Sequence, residues 1–188
     1  MMRKSILIIF TVMMFSTSLF ALEIADVQIP ETIKQADGTE LVLNGAGVRS
    51  KFIFKVYIAQ LYVKEKSKDP AALIAPDTGK RMAMHFLYSE VDKESLVDAW
   101  NSGFKGNGTK EQLESLKAQI EAFNAMFDTV KEGDVIILDY VPGKGTSVVI
   151  RDQEKGLIPG KPFNDLLLSI WLGKKPVTET LRDDLLGK

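Results

Sequence analysis

The pattern of apolar positions predicts strands in the first half of the chain and again before its C-terminal helices. The longest strand signal runs from Val48 to Val63 and is rich in Phe, Ile, Val and Tyr. A hairpin is predicted over residues 23–43, with its turn at 35–38, and Gly45 and Gly47 predict a bend or bulge after it. Further strands are predicted at 81–88, 135–140, 146–151 and 157–158, the last three forming a meander.

Helix caps and 3.6-residue periodicity predict the helices that lie between and after these strands. Asp69 and Asp92 are expected N-caps, and Thr109 with Gln112 forms a capping box. The predicted helices are 70–75, 92–104, 109–127, 162–172 and 178–186. Because strands and helices come in blocks, we predict an α+β fold with an antiparallel sheet, not a Rossmann arrangement. Strand 81–88 is apolar on both faces and should be central.

The N-terminal segment is typical of a secretory signal peptide. Arg3 and Lys4 precede about thirteen apolar or small residues that lead to Ala21. We expect cleavage after Ala21. Leu19 is larger than the residue usually found three positions before a cleavage site, so retention of the segment as an N-terminal anchor is the alternative. The prediction is therefore a signal peptide at 1–21 and one domain at 22–188, periplasmic or secreted, without stable membrane insertion after cleavage.

Composition narrows the chemistry further. The chain has no cysteine and one histidine, so cysteine nucleophiles and His/Cys zinc sites are excluded. Its formal net charge is −1. No basic cluster suited to nucleic acid occurs, and we predict no metal and no cofactor. His85 lies among apolar neighbours and is expected to be structural. The sequence leaves the oligomeric state open.

Arg49 is a candidate anion-binding residue on the basis of its residue type and its position. It follows a Gly-Ala-Gly segment and enters the apolar stretch, where a permanently charged guanidinium needs water or an anion. Lys51, Lys55 and Tyr57 add donors nearby. A carboxylate held by Arg49 is one interpretation; a surface ion pair for Arg49 and core packing for Tyr57 is the other.

Five short motifs, in this order and spacing, resemble the chalcone isomerase-like family over roughly residues 41–186. They are Gly45-Ala-Gly-Val-Arg49, Val56-Tyr57, Leu61-Tyr62, Tyr88-Ser-Glu with Trp100 twelve residues on, and the helix Leu166–Gly173. The resemblance implies a chalcone isomerase-like fold, an antiparallel β-sheet with a layer of α-helices over one face.

The family contains true isomerases, which close a flavanone ring, and members that bind fatty acids. In the binders, an arginine and a tyrosine that match Arg49 and Tyr57 hold the carboxylate, and Tyr88 is expected to form a third wall. In true isomerases threonine or asparagine stands near the positions of Tyr57, Leu96 and Ile170. The resemblance therefore implies a non-catalytic binder of a fatty acid or similar amphipathic carboxylate, with no catalytic residue.

Two alternatives remain open at this point. The chain could be an intramolecular lyase or isomerase for a small enone or phenolic compound, with Arg49 stabilising an oxyanion and Tyr88 holding water. It could also be a structural or partner-binding envelope protein whose pocket is filled by Trp100, Phe104 or Trp171.

The carboxylate clamp carries a geometric condition. An unbroken strand would separate Arg49 from Tyr57 by about 26 Å, too far for one carboxylate. A shared ligand therefore predicts a bend or hairpin between Ser50 and Ile53.

Overall fold

A seven-stranded antiparallel sheet forms the centre of the structure, a computed structural model that describes residues 22–188. The predicted signal peptide lies outside these residues. In chain order the strands are β1 (Leu22–Ile24), β2 (Val27–Ile29), β3 (Thr32–Lys34), β4 (Glu40–Lys51), β5 (Phe54–Val63), β6 (Lys80–Phe86), β7 (Glu90–Val91), β8 (Val130–Lys131), β9 (Val135–Val141), β10 (Gly145–Ile150) and β11 (Gln153–Pro159). The main sheet has the order β11-β10-β9-β6-β5-β4-β3, and two small hairpins, β1-β2 and β7-β8, flank it.

The helices cover one face of this sheet. They are α1 (Pro70–Ile74), α2 (Lys93–Asn107), α3 (Lys110–Ser115), α4 (Lys117–Ala125), α5 (Lys161–Leu172) and α6 (Glu179–Leu185). Their apolar side chains and one face of the sheet form the main core. A smaller cluster around Ile29, Ile58 and Tyr62 lies on the opposite face. The α+β class and the single helix layer predicted from the sequence are confirmed.

Strand β6 lies in the middle of the sheet, between β5 and β9, as its apolar pattern predicted. Met82, Met84 and Phe86 point into the main core. His85 is only half-buried. The predicted N-caps are also present: Asp69, Asp92 and the Thr109 capping box each accept a backbone hydrogen bond from the first turn of their helix.

The helix at 109–127 and the first hairpin differ from the sequence prediction. The single helix expected at 109–127 is divided at Leu116, whose φ of −102° and ψ of 6° lie outside the helical region. The break lets the buried Leu116 join the core, as Phe123 of α4 also does. At the N-terminus, β1 and β2 form a separate hairpin, because Ala25 and Asp26 both adopt the left-handed conformation of a tight turn.

The Gly-Ala-Gly segment is a place of close packing as well as a bulge. The pairing of β4 with β5 shifts between Leu43 and Gly45, which confirms the predicted bulge. A side-chain carbon on Gly45 would overlap the backbone carbonyl of Asp184 in α6. The neighbouring Asn44 side chain donates to the carbonyl of Leu185 at 2.7 Å. These contacts hold the C-terminal helix against β4.

The predicted strand at 48–63 is in fact the end of β4, a turn and the whole of β5. Strand β4 ends at Lys51, the chain turns at Phe52 and Ile53, and β5 returns from Phe54. The bend predicted between Ser50 and Ile53 is thereby confirmed. Among the described residues, no helix is long and apolar enough to cross a bilayer.

Candidate functional site

A cavity of about 290 Å³ lies between the helices α2 and α5 and the β4–β5 hairpin with its neighbour β6. Its inner wall is apolar, apart from Tyr57, and is formed by Val56, Met84, Phe86, Leu96, Trp100 and Ile170. Its mouth is formed by exposed residues, including the hairpin tip and the segment after β6. An apolar interior with few polar groups suits one small amphipathic molecule.

Arg49 and Tyr57 face each other across the β4–β5 hairpin. They are direct register partners, and the Arg49 guanidinium carbon lies 5.7 Å from the centre of the Tyr57 ring. Both residues line the cavity. Arg49 is half-buried, and within residues 22–188 it forms neither a hydrogen bond nor an ion pair. The surface ion pair that the sequence left open is therefore not formed with any described acid.

The hydroxyl of Tyr57 donates to no acceptor among the described residues. Tyr57 is 7% exposed, and its oxygen accepts a hydrogen bond of 3.0 Å from the indole Nε1 of Trp171. Burial raises the pKa of Tyr57, and the opposing effects of Arg49 and the Trp171 hydrogen bond are smaller. The hydroxyl therefore stays protonated. Since Trp171 already donates to it, its own proton is available for an acceptor in the cavity.

Tyr88, the third predicted binding residue, lies at the mouth of the same cavity. It is 37% exposed, and its ring packs edge-on against Phe54 with centroids 5.6 Å apart. Lys51 also lines the mouth, whereas Lys55 is not part of the cavity wall. The structure thus brings Arg49, Tyr57 and Tyr88 to one cavity, and their role in binding stays a prediction.

Two acidic side chains at the mouth were not identified as site residues from the sequence. Asp92 accepts hydrogen bonds from the backbone and hydroxyl of Ser95, at 2.7 and 2.8 Å, and these bonds lower its pKa. Glu90 lies 3.6 Å from Lys131. Lys131 thus partly offsets the charge of Glu90, whereas the hydrogen bonds from Ser95 stabilise the Asp92 carboxylate in its charged form. Asp92 was recognisable as a helix cap, but only the fold shows that this cap stands beside the hairpin.

The positions where the resemblance places isomerase polar groups also line the cavity. Leu96 and Ile170 are buried there and present only hydrocarbon. Trp100 forms part of the wall, while Phe104 and Trp171 do not line the cavity. The ring of Trp171 packs against that of Trp100, with centroids 5.8 Å apart. Within residues 22–188, no cluster of three or more His, Cys, Asp or Glu side chains could hold a metal ion.

Comparison with known proteins agrees with this architecture. A family model described as chalcone isomerase-like matches residues 21–187. The chain belongs to the chalcone isomerase-like family. Its fold is similar to that of a fatty-acid binding protein from Arabidopsis thaliana, with a TM-score of 0.61 and 16% sequence identity over 83% of this chain and 96% of that one. No curated protein gives a significant match.

Proposed function

We propose that this chalcone isomerase-like protein binds a fatty acid, or a similar amphipathic carboxylate, and does not transform it chemically. The observation that carries the proposal is the pairing of Arg49 with Tyr57 in the cavity. A guanidinium that has no counter-ion among residues 22–188 stands beside a protonated hydroxyl that donates to no atom of those residues. The fatty-acid binding of the Arabidopsis thaliana protein with the same fold supports this class of ligand.

A carboxylate matches this pair in charge and in hydrogen bonding. Arg49 can donate two parallel hydrogen bonds to the two carboxylate oxygens, and Tyr57 can donate a third. A free carboxyl group has a pKa of roughly 4 to 5 and is ionised at neutral pH. An acyl chain would then lie against Met84, Phe86 and Leu96, which offer no polar group.

Two positions where the resemblance places isomerase polar groups, Leu96 and Ile170, carry only hydrocarbon side chains in this cavity. An isomerase must orient its substrate and hold a water molecule in position for proton transfer. Leu96 and Ile170 can do neither. We therefore expect rates of enone cyclisation no higher than the uncatalysed background. Turnover above that background which Arg49→Gln abolishes would support the isomerase instead.

A purely structural role is less well supported, because no side chain of residues 22–188 fills the cavity. Trp100 contributes to its wall, and about 290 Å³ remains. We further propose that the protein works in the periplasm after cleavage at Ala21, on the strength of the sequence of residues 1–21. N-terminal sequencing of protein recovered from the periplasmic fraction tests this; a chain that begins at Met1 in the membrane fraction would contradict it.

Calorimetry on the purified, delipidated protein tests binding directly. We expect laurate to bind and Arg49→Gln to weaken it roughly 10- to 100-fold, the usual effect of losing hydrogen bonds to a charged group. Lys55→Gln is the matched control, because it removes a cation from the same hairpin outside the cavity wall. Native mass spectrometry before delipidation should show a bound carboxylic acid. Equal affinities in the wild type and Arg49→Gln would refute the clamp.

A further inference from the structure

The tip of the β4–β5 hairpin carries the most exposed large apolar side chains among residues 22–188. Phe52 is 92% exposed, Ile53 is 88% exposed and Phe54 is 51% exposed. The remaining exposed large apolar side chains of the described part of the chain are less exposed: Tyr88 packs against Phe54 of the tip, and Leu22 and Leu157 lie on β1 and β11. Three consecutive apolar side chains in water are unfavourable, and such patches usually mark a contact surface.

The backbone at Phe52 adds a second, independent observation. Its φ is +55°, in the left-handed region where glycine and asparagine are the favoured residues. A bulky aromatic residue is sterically disfavoured in this conformation. Phe52 is therefore an unfavourable residue for this turn. A contact between its side chain and another molecule would explain its presence there.

Positive charges stand directly behind this apolar tip. Lys51 and Lys55 flank it, and Arg49 follows on β4. None of the three forms an ion pair with a described residue. The acids at the cavity mouth, Glu90 and Asp92, lie across the mouth from the hairpin and are engaged by Lys131 and Ser95. Since the whole chain has a formal net charge of −1, this positive charge is local.

We propose that the hairpin tip docks on a lipid bilayer that carries anionic headgroups. An apolar tip followed by basic residues is the arrangement that binds the membrane interface, with aromatic and aliphatic side chains at the acyl boundary and lysines at the headgroups. Phe52 and Ile53 enter the interface, and Lys51 and Lys55 contact the anionic headgroups. The contact is peripheral, and the hairpin does not cross the bilayer.

Docking in this orientation also brings the cavity mouth to the lipid surface. Phe52 and Phe54 belong both to the hairpin tip and to the cavity lining. An amphipathic carboxylate resides in that same interfacial layer, so it could pass between bilayer and cavity without crossing bulk water. This last step rests on the proposed function, whereas docking does not.

Vesicle flotation of the ligand-free mature protein, residues 22–188, tests the docking. We expect binding to vesicles of equal parts phosphatidylcholine and phosphatidylglycerol, and weaker binding to pure phosphatidylcholine or in high salt. Ile53→Ser should weaken binding roughly tenfold, the effect of withdrawing one large apolar side chain. Lys55→Gln should weaken it roughly fivefold, and only on the anionic vesicles. Leu157→Ser removes another exposed apolar side chain, on β11, and should change nothing.

Phe52→Asn separates docking from folding. Asparagine tolerates the left-handed conformation, so the midpoint of thermal unfolding should stay the same or rise while vesicle binding falls. Wild-type protein that does not float, or Ile53→Ser that floats equally well, would overturn the proposal. A dimer in sedimentation equilibrium that Ile53→Ser dissociates would also overturn it, in favour of contact between two copies.

The two proposals fail in different ways. Octanoate affinity, measured by calorimetry without vesicles, should be the same in Ile53→Ser and wild type, because Ile53 does not line the cavity. Loss of flotation with intact octanoate binding therefore marks a failure of docking alone. Flotation without any binding of fatty acid marks a failure of the proposed function alone.

Discussion

Arg49 and Tyr57 are direct partners across the β4–β5 hairpin, with the guanidinium 5.7 Å from the centre of the tyrosine ring. Eight residues apart in sequence, they become neighbours because the chain reverses at Phe52 and Ile53. The pairing gives one cavity a fixed positive charge and a neutral donor at the same point. This combination supports the proposed anionic ligand more strongly than either residue would alone.

Removal of the Tyr57 hydroxyl should affect both binding and folding. Tyr57→Phe takes one donor from the carboxylate and leaves the Trp171 indole N–H buried without an acceptor. We expect laurate affinity to fall roughly tenfold and the free energy of unfolding to fall by about 1 to 3 kcal/mol. Calorimetry and urea unfolding measure the two effects.

Tyr62→Phe is the matched control for this variant. Tyr62 lies on the same strand and is equally buried, but its hydroxyl donates to the carbonyl of Pro30 on the other face of the sheet. Its loss should reduce stability and leave laurate affinity unchanged. Equal losses of affinity in both variants would mean that Tyr57 acts through the fold and not through contact with the ligand.

Ligand length should be limited by the cavity. A volume of about 290 Å³ is at the lower end of the range, ~300 to 1,000 Å³, that small-molecule sites occupy. Affinity should rise about fourfold per methylene from octanoate until the cavity is full, and then level off at medium chain length. A calorimetric series from octanoate to stearate measures this, with the matching alcohols as controls for the carboxylate. A gain that continued undiminished to stearate would contradict an enclosed tail.

Local signals in the sequence were sufficient for most of the fold. Asp92 and Thr109 begin helices where their side chains predicted, because capping depends on residues three positions away at most. The hairpin at Phe52 and Ile53 was predictable too, although by a different route. Because no Gly, Pro or Asn lies in that turn, the apolar pattern alone predicted one long strand. The bend was predicted from the condition that Arg49 and Tyr57 must lie close together to share a ligand.

The features that could not be predicted depend on contacts between distant parts of the chain. Glu90 and Asp92 border the cavity only because the start of α2 packs beside the β4–β5 hairpin. The close approach of α6 to Gly45 joins residues far apart in sequence. The exposure of Phe52 was equally hidden, because an apolar residue in an apolar stretch is expected to be buried.

Both glycines of β4 should tolerate alanine poorly. A methyl group at Gly45 would overlap the backbone of α6, and one at Gly47 would overlap the Cβ of Asp184, which no side-chain rotation can move away. We expect Gly45→Ala and Gly47→Ala each to lower the free energy of unfolding by about 1 to 3 kcal/mol. Urea unfolding of the two variants measures both effects. Wild-type stability in either variant would mean that α6 packs less closely against β4 than the structure shows.

Lys80 should make the stability of the protein depend on pH in the alkaline range. Its side chain is 1% exposed, donates to the carbonyls of Pro76 and Thr78, and lies 5.4 Å from the ring of Tyr140. Burial, aided by the nearby Lys161, lowers the pKa of Lys80 from 10.5 to about 8. Between these two values the unfolded chain binds more protons than the folded one, so the free energy of unfolding should rise with pH.

Lys80→Met should remove this rise, which we expect to be roughly 2 kcal/mol between pH 7.5 and 10. Because it no longer buries a charge, the variant should be as stable as the wild type at pH 7, or more stable. Burial also raises the pKa of Tyr62 to about 12, which lowers the free energy of unfolding at high pH. That contribution is present in both proteins and cancels when urea unfolding curves of the two are compared at each pH. Lys64→Met, at an exposed position, should follow the wild type; a Lys80→Met curve parallel to both would show that Lys80 titrates normally in the folded protein.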